Sequence, residues 1–314
     1  MDTYQVALVG ECMVELSGLP LTRTYGGDTL NTALYLSRLL SESNVNIRYA
    51  TGLGDDSISE EMLAHWRNEG INTQLVSRIS GKMPGLYLVE TDADGERTFH
   101  YWRNDSAAKH YFDAVSPLEH FVQETGLDLL YFSGISIAIL PAENRRKLLT
   151  LVQKAKQQGT TIVFDNNYRP RLWPDGDAKA WYADCLRLTD LALMTEDDDL
   201  AVWGDIDIEQ RCREFGCQEV VIKRGSQPCT VISGLQQTQA EHFLVAGERV
   251  ANVVDTCAAG DSFAAGYLAG YINQWPVEAR VALAHKLAST VIQYPGAVIP
   301  KTAMPKMKPP ATIK

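Results

Sequence analysis

Neither a Cys-x-x-Cys pair nor a His-x-x-x-His spacing occurs in this chain of 314 residues, and its six cysteines (Cys12, Cys185, Cys212, Cys217, Cys229 and Cys257) are scattered. A disulfide framework and a structural zinc site therefore both lack their spacing signature. Positive charge is short as well: 29 Lys plus Arg stand against 39 Asp plus Glu, a net charge of −10. Such a chain exerts no general pull on nucleic acid or on an anionic membrane, so an anionic ligand must be held by a local site. The start, Met1-Asp2-Thr3-Tyr4-Gln5, has no basic segment, and the apolar run Val6 to Val9 is too short for a signal peptide or a membrane span. The expectation is a reduced, cytoplasmic protein. Internal repeats and linkers are missing too, which argues for one domain over residues 1–314. The proline-rich basic tail, Pro305-Lys-Met-Lys-Pro-Pro310, is expected to fray. Two phosphate-binding signatures are also absent, Gly-x4-Gly-Lys-Ser/Thr and a Gly-x-Gly-x-x-Gly turn after the first strand, so nucleotide binding needs another architecture.

What is present reads as an ordinary globular chain, 45% hydrophobic and 22% charged. Short apolar runs at 5–9, 128–134, 161–165, 191–194 and 219–223 end in glycine or polar residues, the form of strands buried on both faces of a parallel sheet. Helical stretches lie between them. Thr29 to Leu40 carries Leu30, Ala33, Leu34 and Leu36, and Pro141 to Gln158 opens with proline near its first turn. Asp255 to Tyr294 reads as two helices broken at Trp275-Pro276. Alternating strand and helix is the α/β pattern, with ligands at the carboxyl ends of the strands.

One region breaks the alternation. Gly85 to Thr91 and Arg97 to Arg103 are rich in β-branched and aromatic residues and flank Asp92-Ala-Asp-Gly95, which reads as a hairpin. A three-residue loop pairs positions that sum to 188 and sets Tyr87 opposite Tyr101, on the face of Phe99 and Arg103. A two-residue Asp94-Gly95 turn would instead put Tyr87 on the face of Trp102. Two tyrosines, a phenylalanine and an arginine on one face favour a ligand or lid role over a bare edge hairpin.

Four segments could carry chemistry. In Asp255-Thr-Cys-Ala-Ala-Gly-Asp261 small residues precede a helix, so the backbone N–H groups of Ala258, Ala259, Gly260 and Asp261 can form an anion nest. Asp261 would repel a phosphate there unless it takes a proton from an attacking hydroxyl; the competing reading is a helix cap. Gly26-Gly27-Asp28 with Asn31 offers carboxylate and amide groups that suit a polyol, although the same residues are common in turns. Asp165 to Trp173 brings Asn167, Arg169 and Arg171 to the end of a strand, where arginines suit carboxylate or phosphate. Lys223-Arg224-Gly225 is a basic turn open to close backbone approach.

Taken in order, these segments and the aromatic hairpin resemble the ribokinase-like (PfkB) carbohydrate kinases over nearly the whole chain. Within that family, Glu11-Cys-Met-Val-Glu15, Pro84-Gly-Leu-Tyr87, Tyr101-Trp-Arg-Asn104, Asp165 to Trp173 and Gln293-Tyr-Pro-Gly-Ala297 resemble the branch that acts on a 2-keto-3-deoxy sugar acid. The resemblance implies a ribokinase-like α/β fold, a mostly parallel central sheet flanked by helices, with a small β lid from about 11–28 and 84–104. It implies ATP and Mg2+, possible use of a monovalent cation near Asp255, and phosphorylation of the 6-hydroxyl of 2-keto-3-deoxygluconate with Asp261 as base. A neutral sugar, as for a fructokinase or ribokinase, is the alternative.

By the same resemblance, Gly26, Gly27, Asp28, Asn31, Tyr87, Tyr101, Arg103, Arg169, Asp255 and Asp261 surround the substrate. Asn167, Arg169, Lys223, Arg224, Gly225, Ala258, Ala259 and Gly260 line the nucleotide phosphates. Arg103 and Arg169 are the forks for the substrate carboxylate. Two positions depart from the family. Its Gly-Ala-Gly-Asp is here Ala258-Ala-Gly-Asp261, a methyl tolerated only at negative φ. Its Asn-x-x-Glu is Thr195-Glu-Asp-Asp198, which makes Glu196 and Asp198 the metal candidates. The outer face of the hairpin, Leu86, Leu88, His100 and Trp102, is expected to pack against a second chain, giving a homo-oligomer through the lid.

Overall fold

The computed structural model describes residues 3–91 and 97–310. Strands among them are β1 (Tyr4–Val9), β2 (Met13–Ser17), β3 (Thr22–Gly26), β4 (Val45–Leu53), β5 (Val76–Arg78), β6 (Leu86–Thr91), β7 (Arg97–Trp102), β8 (Leu129–Ser133), β9 (Thr161–Asp165), β10 (Leu191–Thr195), β11 (Glu219–Lys223), β12 (Cys229–Ser233) and β13 (Glu241–Val245). The α-helices are α1 (Asp28–Leu39), α2 (Ser57–Asn68), α3 (Pro117–Glu124), α4 (Gly134–Ala138), α5 (Ala142–Gln157), α6 (Ala178–Leu188), α7 (Glu196–Trp203), α8 (Ile208–Phe215), α9 (Ala259–Ile272) and α10 (Val277–Val291).

Nine strands form the central sheet in the order β13-β12-β11-β10-β9-β8-β1-β4-β5. Pairing is parallel from β5 to β11, and β12 and β13 are antiparallel at one edge. The apolar runs explain this placement: β8 is buried at all of its positions, and side chains alternate between the sheet's two faces. Leu129 and Tyr131 join the layer of α1, α2, α9 and α10, whereas Leu130 and Phe132 join the layer of α3, α5, α6 and α8. The two helical layers are therefore sorted by residue parity along each strand.

A second sheet, β3-β2-β6-β7, stands apart from the first. The hairpin pairs Tyr87 with Tyr101 and Leu86 with Trp102, the register in which positions sum to 188. The Asp92-to-Gly95 turn lies outside the described residues apart from its flanking strands. In the tail the expectation of fraying holds only in part: Met307 packs against the core, as Met304 does before it, while Lys306, Lys308 and Pro309 are exposed. The apolar side chain of Met307 within the basic segment supplies this burial. Among the described residues Cys12, Cys185, Cys212, Cys217 and Cys229 are buried free thiols, and no helix is long and apolar enough to cross a membrane.

Candidate active site

The chain builds outward from β1 in both directions, to β4 and β5 on one side and to β8 through β11 on the other. Such a switch point opens a crevice at the carboxyl ends of the strands. Here those ends carry Ser133 on β8, Asp165 on β9, Thr195 on β10 and Lys223 on β11. A cleft of about 2150 Å3 lies over them, roofed at one end by the small sheet. Every site residue expected from the sequence lines it except Glu196.

The floor is a network of carboxylates and amides. Asn31 on α1 donates Nδ2 to Asp261 Oδ2 on α9 at 2.8 Å. Asp28, in the first turn of α1, accepts from Ser133 Oγ at 2.5 Å and from Asn167 Nδ2 at 2.9 Å. Lys223 Nζ lies 2.7 Å from Asp165 Oδ2, a buried pair joining the ends of β11 and β9. Asn166 clips β9 to β10, giving Nδ2 to the Thr195 carbonyl at 2.9 Å and taking the Thr195 N–H at 2.8 Å. Burial, followed by the nearby Asp28 charge, pushes the Asp261 carboxyl up to about 7 against the opposing Asn31 bond. Burial also raises Asp28. One of two neighbouring carboxylates thus holds its proton near neutrality, and can exchange it there.

Asp261 does not cap its helix. Helix α9 starts after Ala258 without a side-chain cap, and the Asp261 carboxylate reaches across to α1. Ala258 corrects the expectation of negative φ: it sits at φ 57°, in the left-handed region. The backbone path of the loop outweighs the local cost of its methyl group, which is roughly 1–2 kcal/mol for an L-residue. At Gly260 a Cβ would meet nothing within 4 Å, so the start of α9 faces open space in the cleft. Asp255 clamps the loop, taking the Cys257 N–H at 2.9 Å and the Gly296 N–H at 2.7 Å.

On the roof, Tyr87, Phe99 and Tyr101 form an aromatic ladder with centroids 5.9–6.4 Å apart. The Tyr87 hydroxyl donates to Glu15, whose other oxygen takes the Ser17 hydroxyl at 3.1 Å. Arg103 donates to buried Glu11. Arg169 is more exposed, at 53% of its side chain, and stands 3.7 Å from Asp198. Glu196 turns away from the cleft and accepts from Arg224 Nε at 2.6 Å, whereas Asp197 and Asp198 line it. Burial raises the Asp198 carboxyl.

Sequence reasoning missed several lining residues. Asp165 carried a usable signal, since it ends an apolar run, as does Ser133, which bonds Asp28 from outside the lining. Glu11 and Glu15 stood inside a quoted segment, but nothing local pairs them with Arg103 and Tyr87. Gly247, Val250, Val253 and His285, at the far end of the cleft, come from an irregular segment and a core-like helix and carried none.

Residues 5–304 match the family described as pfkB family carbohydrate kinase. The chain is 45% identical over 312 residues to the 2-dehydro-3-deoxygluconokinase of Dickeya dadantii, covering 97% of this chain and 100% of that one. It is 43% identical over 308 residues to the 2-dehydro-3-deoxygluconokinase of Escherichia coli K12, covering 96% and 99%. A solved structure of a putative ribokinase II from Escherichia coli, in complex with ATP and Mg2+, has a similar fold with TM-score 0.80 at 19% identity, over 96% of both chains.

Proposed function

Because the chain belongs to the pfkB family of carbohydrate kinases and is a sugar kinase, we propose that it phosphorylates 2-keto-3-deoxy-D-gluconate with ATP. The product is the 6-phosphate and ADP. The observation that carries the chemistry is Asp261, a carboxyl pushed up to about 7 beside the uncapped, sterically open start of a helix. The names of the relatives support the choice of acid, and Arg103 on the roof gives it a physical basis.

Phosphoryl transfer asks for positioning and charge neutralisation more than for covalent help. Asp261 takes the proton of the 6-hydroxyl as that oxygen attacks. The helix dipole of α9 and the Ala258-to-Gly260 backbone attract the transferring group, and the missing side chain at Gly260 lets it approach. Lys223, Arg224 and Gly225, with Asn167 and Arg169, face the phosphates from the strand ends. Asp28 and Asn31 face the sugar hydroxyls.

Among the described residues no group of three or more His, Cys, Asp or Glu could cage a metal ion. That arrangement suits magnesium, which is held by one or two carboxylates together with substrate phosphates. Asp197 and Asp198 are the carboxylates that would hold it, with Glu196 tied to Arg224. The ion would supply charge neutralisation on the phosphates.

The small sheet acts as the lid, its aromatic ladder closing on the sugar and excluding water. Its outer side leaves Trp102 60% exposed and, on the β2–β3 loop, Leu19 98% and Leu21 59% exposed. A second chain packs there through its own lid.

The test is ADP release with magnesium and ATP against 2-keto-3-deoxygluconate, its galactonate epimer, fructose, ribose and no sugar. Turnover confined to keto acids is the expected result; turnover of a neutral sugar alone would overturn the substrate. Arg103→Ala should lower kcat/KM for the keto acid by about 10- to 100-fold, the scale of a lost charge-assisted bond. Unchanged discrimination between the acid and fructose would remove Arg103 from carboxylate recognition.

A further inference from the structure

Glu11 follows β1 and is only 2% exposed. Its Oε2 takes a hydrogen bond from an Arg103 nitrogen, and its Oε1 is buried with no donor. A carboxylate taken out of water with one oxygen unserved lowers stability, so the arrangement is not explained by packing alone. The backbone is shaped to keep it. A Cβ on Gly85 would stand 2.8 Å from Glu11 Oε1 and 3.1 Å from Arg103 Cβ. A Cβ on Gly27 would stand 2.2 Å from the Glu11 carbonyl oxygen.

Among the described residues the Arg103 guanidinium hydrogen-bonds to Glu11 and to no other side chain. A guanidinium is a rigid plane with donors on three nitrogens, so holding one nitrogen restrains where the rest of the fork can point. Arg103 lines the cleft beside Tyr101, across from the floor carboxylates.

We propose that Glu11 is a positioning residue for substrate specificity: it holds the Arg103 guanidinium so that its remaining edge meets the carboxylate of the acid substrate. The inference rests on the reading of that substrate as a 2-keto acid, and it adds a residue that acts through Arg103. Gly85 belongs to the same device, because its missing side chain is the room in which the pair sits.

Steady-state kinetics on the whole protein test it with Glu11→Ala, Glu11→Gln and Gly85→Ala. Glu11→Ala raises KM for the keto acid about tenfold, with kcat within about threefold and KM for ATP unchanged. Glu11→Gln, which keeps an oxygen acceptor in place, recovers most of that loss. Gly85→Ala reproduces the rise although neither member of the pair is altered, and it carries the test if Glu11→Ala does not fold. An unchanged KM in Gly85→Ala and Glu11→Ala overturns the inference. So does a loss shared equally between acid and ATP with a fallen Tm, which marks a structural role. If the wild-type enzyme turns over the acid and the variants match it, the inference alone fails; if the wild type turns over only neutral sugars, the substrate reading fails and takes the inference with it.

Discussion

Asp261 is placed where ionisation costs the fold something. Its carboxyl is raised to about 7 by burial and by the Asp28 charge, so the folded state binds the proton more tightly than the unfolded chain does. The stability this group contributes is present below its unfolded value, near 4, and is lost as pH rises through about 7. Asp261→Asn removes that loss: its Tm should exceed the wild-type value at pH 8, and the difference should vanish near pH 4. Catalysis has the opposite dependence, because only the ionised form takes a proton. The wild-type kcat should fall about tenfold per unit below pH 7, and Asp261→Asn should cost about 10²–10⁴ in kcat. A flat pH profile would remove Asp261 from the base role. At Ala258 the left-handed backbone predicts that Ala258→Gly raises Tm by roughly 1–3 °C, after the entropy of a glycine is subtracted. Calorimetry of the two proteins checks this.

Helix α9 serves the site at one end and the core along its length, and two of its glycines separate the roles. A Cβ on Gly266 would stand 2.6 Å from Ala284 Cα of α10, so the backbones of the two helices touch there. Replacing a helical glycine by alanine ordinarily stabilises by about 0.5–1 kcal/mol, but overpacking against backbone costs about 1–3 kcal/mol and wins. Gly266→Ala should therefore lower Tm. Gly260 has the opposite surroundings, with open space where its Cβ would be. Gly260→Ala should leave Tm unchanged or slightly higher and yet lower kcat/KM for ATP at least about tenfold, because the methyl would enter the space proposed for the phosphate. Equal thermal and kinetic losses in Gly260→Ala would make it a packing residue. The strand ends follow a similar division: Asn166, Asp165 and Lys223 tie β9, β10 and β11 together, so the groups proposed to face the phosphates share one rigid edge.

At the scale of the whole molecule, two sheets meet over one cleft, and on the outer face of the smaller one Leu86 packs against the core while Trp102 is left exposed. Trp102 is 60% exposed, and Leu19 on the β2–β3 loop of the same sheet is 98% exposed, which is the basis for proposing a partner surface there. Sedimentation should show a dimer or larger species at micromolar concentration, and Trp102→Glu should shift it toward monomer. A wild-type monomer would exclude the lid interface. A net charge of −10 would drive two chains apart elsewhere on their surfaces, so the contact is expected to strengthen with salt.

Features set by nearest neighbours along the chain were legible in the sequence itself. The apolar runs of β1, β8, β9, β10 and β11, the helical spacing of α1, α9 and α10, and the small residues before Asp261 follow from local sterics and periodicity. Two candidate hairpin registers followed from loop length, which is also local, and the structure takes the one that sets Tyr87 opposite Tyr101. The pairings that make the site a site were decided by tertiary structure: Asn31 with Asp261 across 230 positions, Asp28 with Asn167 across 139, and Arg103 with Glu11 across 92. Strand order brings such groups together, and no short-range rule encodes it. Ala258 marks the boundary: local sterics called for negative φ, and a loop held at Asp255 by the Cys257 and Gly296 amides overrode them, because those anchoring contacts outweigh the strain of one methyl group.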